Sequence, residues 1–425
     1  MFSGRFSIDL ERRLLLVAGA FICVNFFALS LIRPQATLSH IVAFLIWVAC
    51  AGGGHYVLSK YLPQRDQMLF PVVMMLSGWG LVTIDRLFPR FADRQMLWLM
   101  LSVAVMLAVA IFPHTIRWLR NYRYMWLIFG FALLISTIQF GQNPSGSLSA
   151  PPLWLGLGGL YFQPSEALKI ILVAFLASYL GEQYPLIRAE REISSDLGFP
   201  LSPRIFGPIV LMWALSVIIL VWQRDLGTAT LFFIVFLVLL YAASGNIYIL
   251  LSGLILIFIA GLAAYNRFDV VRLRVDIWIN PWVEADGDAF QIVQSLHAIA
   301  SGGILGSGIA QGSPLYIPVV HSDFIFAAIG EEWGFIGIIT VIACIALIMY
   351  RGFRTAINQN RPFYTLLGIG LSTLIATQSL LIMGGVIRLV PLTGVTLPFL
   401  SYGGSSLLMS FIMLGLLLRL SAKVN

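Results

Sequence analysis

Apolar runs of about 20 residues, separated by short polar interruptions, recur along the whole chain. They centre on 14–32, 40–58, 68–87, 96–112, 124–140, 163–180, 205–222, 226–243, 246–264, 323–349, 363–386 and 403–420. A hydrocarbon core of ~30 Å takes about 20 helical residues to cross, so each run predicts one spanning helix. The expected fold is an all-α polytopic membrane protein of twelve spans, give or take one. Two joins are tight: Gln223, Arg224 and Asp225 separate the seventh and eighth runs, and Ser244–Asn246 the eighth and ninth. No internal repeat is visible at residue level, so the inverted-repeat plan of many transporters has no support. The first run carries no small-residue cleavage site followed by a soluble domain and reads as a retained span.

Composition agrees with this pattern. Of 425 residues, 59% are hydrophobic and only 11% charged, against about 25% charged in soluble domains; the mean hydropathy is +0.91. The formal charge of +7 does not indicate nucleic acid, because the basic residues form no single cluster. They sit in the interruptions, and most of the 26 Lys and Arg residues fall on the side that holds the N-terminus. The positive-inside rule then places both termini in the cytoplasm and the longest interruption, about 265–322, outside. Cys23, Cys50 and Cys344 lie singly inside apolar runs and read as lipid-buried thiols.

Unusual polar chemistry gathers on the expected outer side. In FQPSEALK (162–169), Pro164 and Ser165 suit a helix start. Glu166 and Lys169, three apart, share a face and can pair within the bilayer, where a lone charge costs about 2.5–3.5 kcal/mol. Asp225, in a very tight turn, is either the N-cap of the next helix or part of an outer polar group. Arg272 and Arg274 open the long outer segment and suit an anionic headgroup such as a phosphate. A helix is expected after Asp288, carrying Gln291, Gln294 and Ser295. The following glycine series lacks both the strand and the terminal lysine of a nucleotide loop. In a helix expected to begin near Ser322, Asp323 stands at the outer mouth and Glu331 about 12 Å deeper. A carboxylate at that boundary meets the condition for a general base, and equally for a helix cap. Finally, 390–408 packs prolines and glycines into membrane depth, which is tolerated only inside protein or along a wet cavity.

Five stretches together resemble one family, the shape, elongation, division and sporulation (SEDS) proteins. They are FQPSEALK at 162–169, RDLGTA at 224–229, QIVQSLHAIASGGILGSG at 291–308, HSDFIFAAIGEEWGFIG at 321–337 and PLTGVTLPFLSYGGSSLL at 391–408. The resemblance implies a ten-span peptidoglycan glycosyltransferase core at 67–425, preceded by a two-span extension at 1–66. It implies polymerisation of lipid II, the undecaprenyl-pyrophosphate-linked disaccharide-pentapeptide, on the outer face of the bacterial cytoplasmic membrane. A class B penicillin-binding protein and other elongation machinery are the partners it implies. The family's essential aspartate falls on Asp323, its buried Glu–Lys pair on Glu166 and Lys169, and a further aspartate on Asp225. Glu331 joins that polar network, while Arg272, Arg274, Gln291, Gln294, Ser295, His321, Ser401 and Tyr402 are the candidate substrate contacts.

Several positions depart from the family pattern. Ser322 stands for threonine, Arg224 for proline, Leu153-Trp154 for a cation before tryptophan, and Ile382-Met383-Gly384 for Asn-Ile-Gly. Thr393 stands where many division-type members carry lysine, which favours the elongation branch over the division branch. The implied reaction inverts the donor anomeric carbon with one base. Arg272, Arg274 or a divalent cation such as Mg2+ or Mn2+ would meet the leaving pyrophosphate, although no metal-ligand spacing is present. Two rival classes stay open. A proton-coupled lipid flippase would also use Glu166, Lys169 and Asp225, and a non-catalytic scaffold would tolerate Asn at 323.

Overall fold

The computed structural model describes residues 3–143, 152–157, 160–193 and 225–422, together with positions 207, 210, 214 and 218. Fourteen α-helices and one hairpin occur among them. In chain order these are α1 (Ser3–Ile32), α2 (Thr37–Tyr61), α3 (Leu69–Leu87), α4 (Pro89–Ile111), α5 (Thr115–Asn121), α6 (Arg123–Phe140) and α7 (Pro164–Ile193). Then follow α8 (Leu226–Ser244), α9 (Ile247–Arg267), α10 (Asp269–Ile279), α11 (Phe290–Gly302), α12 (Ile325–Ile357), α13 (Pro362–Val386) and α14 (Gly404–Ser421). Eleven are long and apolar enough to cross a membrane. They coincide with eleven of the twelve expected runs; the run at 205–222 lies outside the described residues except for positions 207, 210, 214 and 218.

The expected outer loop at 265–322 is not irregular. It holds α10, α11 and two 3-10 turns at Pro281–Glu284 and Pro314–Tyr316. The helix foreseen after Asp288 is α11. Prolines open α4, α7 and α13, where the missing N–H is no loss and the fixed φ favours helix.

The chain folds as two compact units: Met1–Ile111 with Ala264–Arg351 and Gln378–Asn425, and Phe112–Ala263 with Gly352–Thr377. In the first unit, α1 and α2 are fastened to their neighbours by polar contacts inside an apolar environment. Glu11, fully buried, takes Arg65 Nη2 at 2.6 Å and His55 Nδ1 at 2.9 Å. His40 Nε2 meets Asp85 Oδ2 at 3.1 Å. Trp47 donates its indole N–H to Met74 O at 2.9 Å, and Trp333 donates to Asn25 Oδ1 at 3.2 Å. The N-terminal pair is therefore built into this unit.

The 33 residues of α12 would measure about 50 Å as one helix, well beyond the hydrocarbon thickness. It breaks at Gly334, whose φ of 65° and ψ of −162° are open only to glycine. The backbone groups freed there pair with the glycine series. Ser307 N–H donates to Glu331 O at 2.9 Å, Gly308 N–H to Glu332 O at 3.1 Å and Phe335 N–H to Gly303 O at 2.9 Å. Non-helical backbone at this depth is thereby satisfied by other backbone. Two glycines of the series are packing residues: a Cβ on Gly302 would collide with Gly330 O, and one on Gly306 with Glu332 O.

In the second unit a three-residue hairpin, Leu155–Leu157 against Leu160–Phe162, pairs Gly156 with Tyr161 and leads into α7. This is a small addition to the all-α expectation. Asp225 caps α8 by accepting from Thr228 N–H at 3.2 Å.

Candidate functional site

In the first unit the site is built on a segment that precedes a helix. Asp323 lies two residues before α12, outside the helix that the sequence suggested would contain it. Phe324 O, not the Asp323 side chain, accepts the first turn's amides from Ala327 at 2.9 Å and Ala328 at 3.2 Å. The Asp323 carboxylate instead accepts from Ser322 Oγ at 2.8 Å and is half-buried. Here the two readings of an aspartate at a helix mouth separate: Asp225 is spent as a cap, and Asp323 is not.

Opposite Asp323 stands Arg274. The two meet at Gly394, where a Cβ would lie 3.8 Å from Arg274 Nη2 and 4.0 Å from Asp323 Oδ2. With φ of 72° and no side chain, Gly394 leaves that space open. Arg274 is held by its Nη1, which donates to Thr393 O at 3.3 Å. One turn further on, Trp278 Nε1 donates to Arg388 O at 3.2 Å and Arg388 Nε returns a bond to Trp278 O at 2.8 Å. This clamp fixes which face of α10 looks inward. Arg272, about 200° around the helix from Arg274, is exposed. It sits 3.9 Å from Asp269 and over the Tyr265 ring. The sequence grouped the two arginines; the helix brings only Arg274 to the carboxylate.

Burial pushes the Asp323 carboxyl above the ordinary range, and the Ser322 hydroxyl and the Arg274 charge pull it partly back. His321 lies among Phe88, Phe91 and Tyr402, with ring centroids 5.1, 4.9 and 5.5 Å away. Burial lowers its pKa to about 4, so the imidazole is neutral at physiological pH. Tyr402 stacks on Phe91 at 4.7 Å, and its N–H donates to His321 O at 2.9 Å. Ser401 donates to Ser322 O at 2.5 Å and accepts from Leu397 N–H at 3.0 Å. The hydroxyl of Ser401 is thus committed to backbone, and residues 401–402 pin the segment that carries Asp323.

Other candidates sit elsewhere in this unit. Ser295 is fully buried and donates to Ile292 O at 2.8 Å and Val386 O at 3.1 Å, tying α11 to the end of α13. Gln291 and Gln294 are half-buried on the same helix. Glu331 accepts from Ser313 N–H at 2.7 Å, and Glu332 pairs with Arg86 Nε at 3.0 Å. Arg86 also donates to Gly312 O at 3.0 Å. The Arg86–Glu332 pair was missed from sequence. An arginine inside an apolar span was the available signal, since such a cation demands a carboxylate partner. Gln378, donating to Thr396 O at 2.8 Å, and Gln95, 3.5 Å from Ser401 O, were also missed. They hold the broken 391–403 backbone that the sequence flagged.

In the second unit Glu166, Lys169 and Asp225 of the expected network cluster together, whereas Glu331, the fourth expected member, belongs to the first unit. Lys169 Nζ meets Glu166 Oε2 at 2.7 Å, with both residues buried. Ser165 Oγ donates to Asp225 Oδ2 at 3.2 Å, and Gln163 Nε2 donates to Ser165 Oγ at 3.0 Å. Burial raises the Asp225 carboxyl. The Thr228 hydrogen bonds and the Lys169 charge offset this in part, and Glu166 adds to it.

Among the described residues, no three His, Cys, Asp or Glu side chains converge as a metal cage. Beside Asp323 the donors are one carboxylate, a neutral imidazole with an aromatic surround, and a competing guanidinium. This set does not fit a metal held by protein alone.

Comparison with known proteins accords with this architecture. A family model described as FTSW_RODA_SPOVE, cell cycle protein, matches residues 65–425. The peptidoglycan glycosyltransferase RodA of Mycobacterium tuberculosis is 37% identical over 399 residues, covering 91% of this chain and 84% of its own. A probable peptidoglycan glycosyltransferase FtsW of Geobacter sulfurreducens is 32% identical over 361 residues, covering 84% of this chain and 92% of its own. One chain of a solved peptidoglycan synthase complex, described as coordinating polymerization and crosslinking, superposes with a TM-score of 0.69 at 26% identity. It covers 84% of this chain and 97% of that one. The chain belongs to the FtsW/RodA/SpoVE family of cell cycle proteins.

Proposed function

We propose that the protein polymerises lipid II with Asp323 as the general base. The chain is a peptidoglycan glycosyltransferase of the RodA type. Its acceptor sugar hydroxyl gives its proton to the Asp323 carboxylate as the oxygen attacks the donor's anomeric carbon. The bond from that carbon to the pyrophosphate breaks with its electron pair, and undecaprenyl pyrophosphate leaves. One displacement inverts the centre, so a single base suffices and no covalent intermediate forms. Arg274, held by Thr393 O, supplies positive charge beside the carboxylate, where negative charge builds on the departing phosphate.

The observation that carries the reading is the state of Asp323: half-buried, outside the helix, accepting from a hydroxyl rather than capping amides, and open towards Arg274 across Gly394. A base needs this combination of a raised pKa and an unspent lone pair. The distribution of Lys and Arg supports cytoplasmic termini and an outward-facing Asp323. Greater identity to RodA than to FtsW relatives supports a role in elongation. A class B penicillin-binding protein is the proposed partner, by analogy with the solved synthase complex.

The test is labelled lipid II with purified protein, with and without a class B transpeptidase, comparing wild type with Asp323→Ala. Glycan strands from wild type alone support the assignment. Equal strands from both remove Asp323 as base, and lipid II transit across liposomes without strands by either protein would favour a flippase.

A further inference from the structure

Polar contacts, rather than apolar packing, hold the 11 residues of α10 in place. Only Ile277 among them is buried, and a helix this short is marginal by itself. Its rotation is set by one stripe. Arg274 and Trp278 lie four residues apart and share a face. Arg274 Nη1 donates to Thr393 O at 3.3 Å, and Trp278 Nε1 donates to Arg388 O at 3.2 Å. Both acceptors belong to the connection between α13 and α14. Arg388 replies from that connection, donating from Nε to Trp278 O at 2.8 Å and from Nη2 to Ile279 O at 3.0 Å. These carbonyls end α10 and have no partner within their own helix. The last turn of α10 carries no basic residue. The Arg388 guanidinium therefore supplies, from another part of the chain, both the donors and the positive charge that a helix C-terminus favours.

The backbone at Arg388 would be served better by another residue. Arg388 N–H donates to Gly385 O at 3.2 Å and Leu389 N–H to Gly384 O at 2.7 Å, the paired bonds that close a helix through a left-handed residue. Arg388 is that residue, with φ of 60°. Glycine adopts this conformation freely and arginine does not. The arginine thus weakens the end of α13, and the hydrogen bonds of its side chain go to α10.

We infer that Arg388 is a positioning residue for glycosyl transfer: by capping α10 from the α13–α14 connection, it fixes the rotation that turns Arg274, and not Arg272, towards Asp323. Without the cap the last turn of α10 frays, the Trp278 bond slackens and Arg274 loses its direction. The role rests on the assignment of Asp323 as base with Arg274 beside it, and Arg388 acts on the reaction only through Arg274.

The experiment is a double-mutant cycle on the purified full chain, polymerising labelled lipid II under the conditions in which wild type makes strands. Arg274→Gln should lower kcat about 10²-fold, and Arg388→Gln about tenfold through misplacement of Arg274. The double variant should be no slower than Arg274→Gln, because nothing is left for the cap to aim. Losses of a merely structural kind would multiply to about 10³-fold. Hydrogen exchange gives a reading independent of activity: the α10 amides should exchange faster in Arg388→Gln than in wild type. Arg388→Gly gives the helix end its favoured residue while removing the guanidinium. It should melt above Arg388→Gln yet be equally slow, and it carries the test if the glutamine variant aggregates on size exclusion. Multiplying losses, wild-type exchange in α10 or full activity of Arg388→Gly overturns the role of Arg388 and leaves Arg274 in place. Arg274→Gln at the wild-type rate removes the assignment of Arg274, and the role of Arg388 with it.

Discussion

Ser401→Ala separates a residue that touches substrate from one that positions the base. Ser401 is 4% exposed, and its hydroxyl makes two hydrogen bonds, to Ser322 O at 2.5 Å and from Leu397 N–H at 3.0 Å. Alanine leaves a buried acceptor and a buried donor without their partner, at about 1–3 kcal/mol each. Tyr402 N–H still holds His321 O at 2.9 Å, so the segment loosens without letting go. If roughly half of the smaller figure for the pair reaches the transition state, kcat falls about fivefold. The melting temperature in detergent should fall as well. KM for lipid II should stay near wild type, because the hydroxyl is already spent on backbone. Strand length and rate on gels, at several lipid II concentrations, give the two constants. A raised KM with kcat intact refutes the reasoning, since it would place the hydroxyl on substrate.

Further outcomes follow from the same geometry. Asp323→Asn keeps the shape and removes the base, so kcat should drop about 10²–10⁴-fold; strands at the wild-type rate would rule the base out. Because burial raises the Asp323 carboxyl, activity should be lost on acidification at a pH above that of an ordinary aspartate. Arg274→Gln or Ser322→Ala removes a lowering influence and should move that limb to higher pH in the rate profile; a shift downward contradicts the assignment. Arg86→Gln should cost about 3–5 kcal/mol by stranding Glu332, and Arg86→Met/Glu332→Leu should recover most of it in thermal unfolding. Asp225→Asn should keep near-wild-type stability as a good cap, whereas Asp225→Ala should lose about 0.5–2 kcal/mol; equal losses would mean that the charge, not the cap, matters.

What the sequence determined by itself is what burial in lipid enforces locally. A span needs length and apolarity along contiguous residues, so eleven described helices stand where the runs predicted them. The Glu166–Lys169 pair was legible for the same reason, because both partners lie on one helix turn. The family was legible from short motifs in register.

What only the tertiary structure decided involves partners far apart in sequence. That Arg274 rather than Arg272 faces Asp323 depends on the rotation of α10, set by Trp278 and Arg388. That Asp323 does not cap its helix while Asp225 does depends on where each helix begins, a matter of one or two residues that no periodicity resolves. The Arg86–Glu332 pair joins residues 246 apart. Hydropathy is a sum over neighbours along the chain; the direction of a side chain is settled by what packs against it.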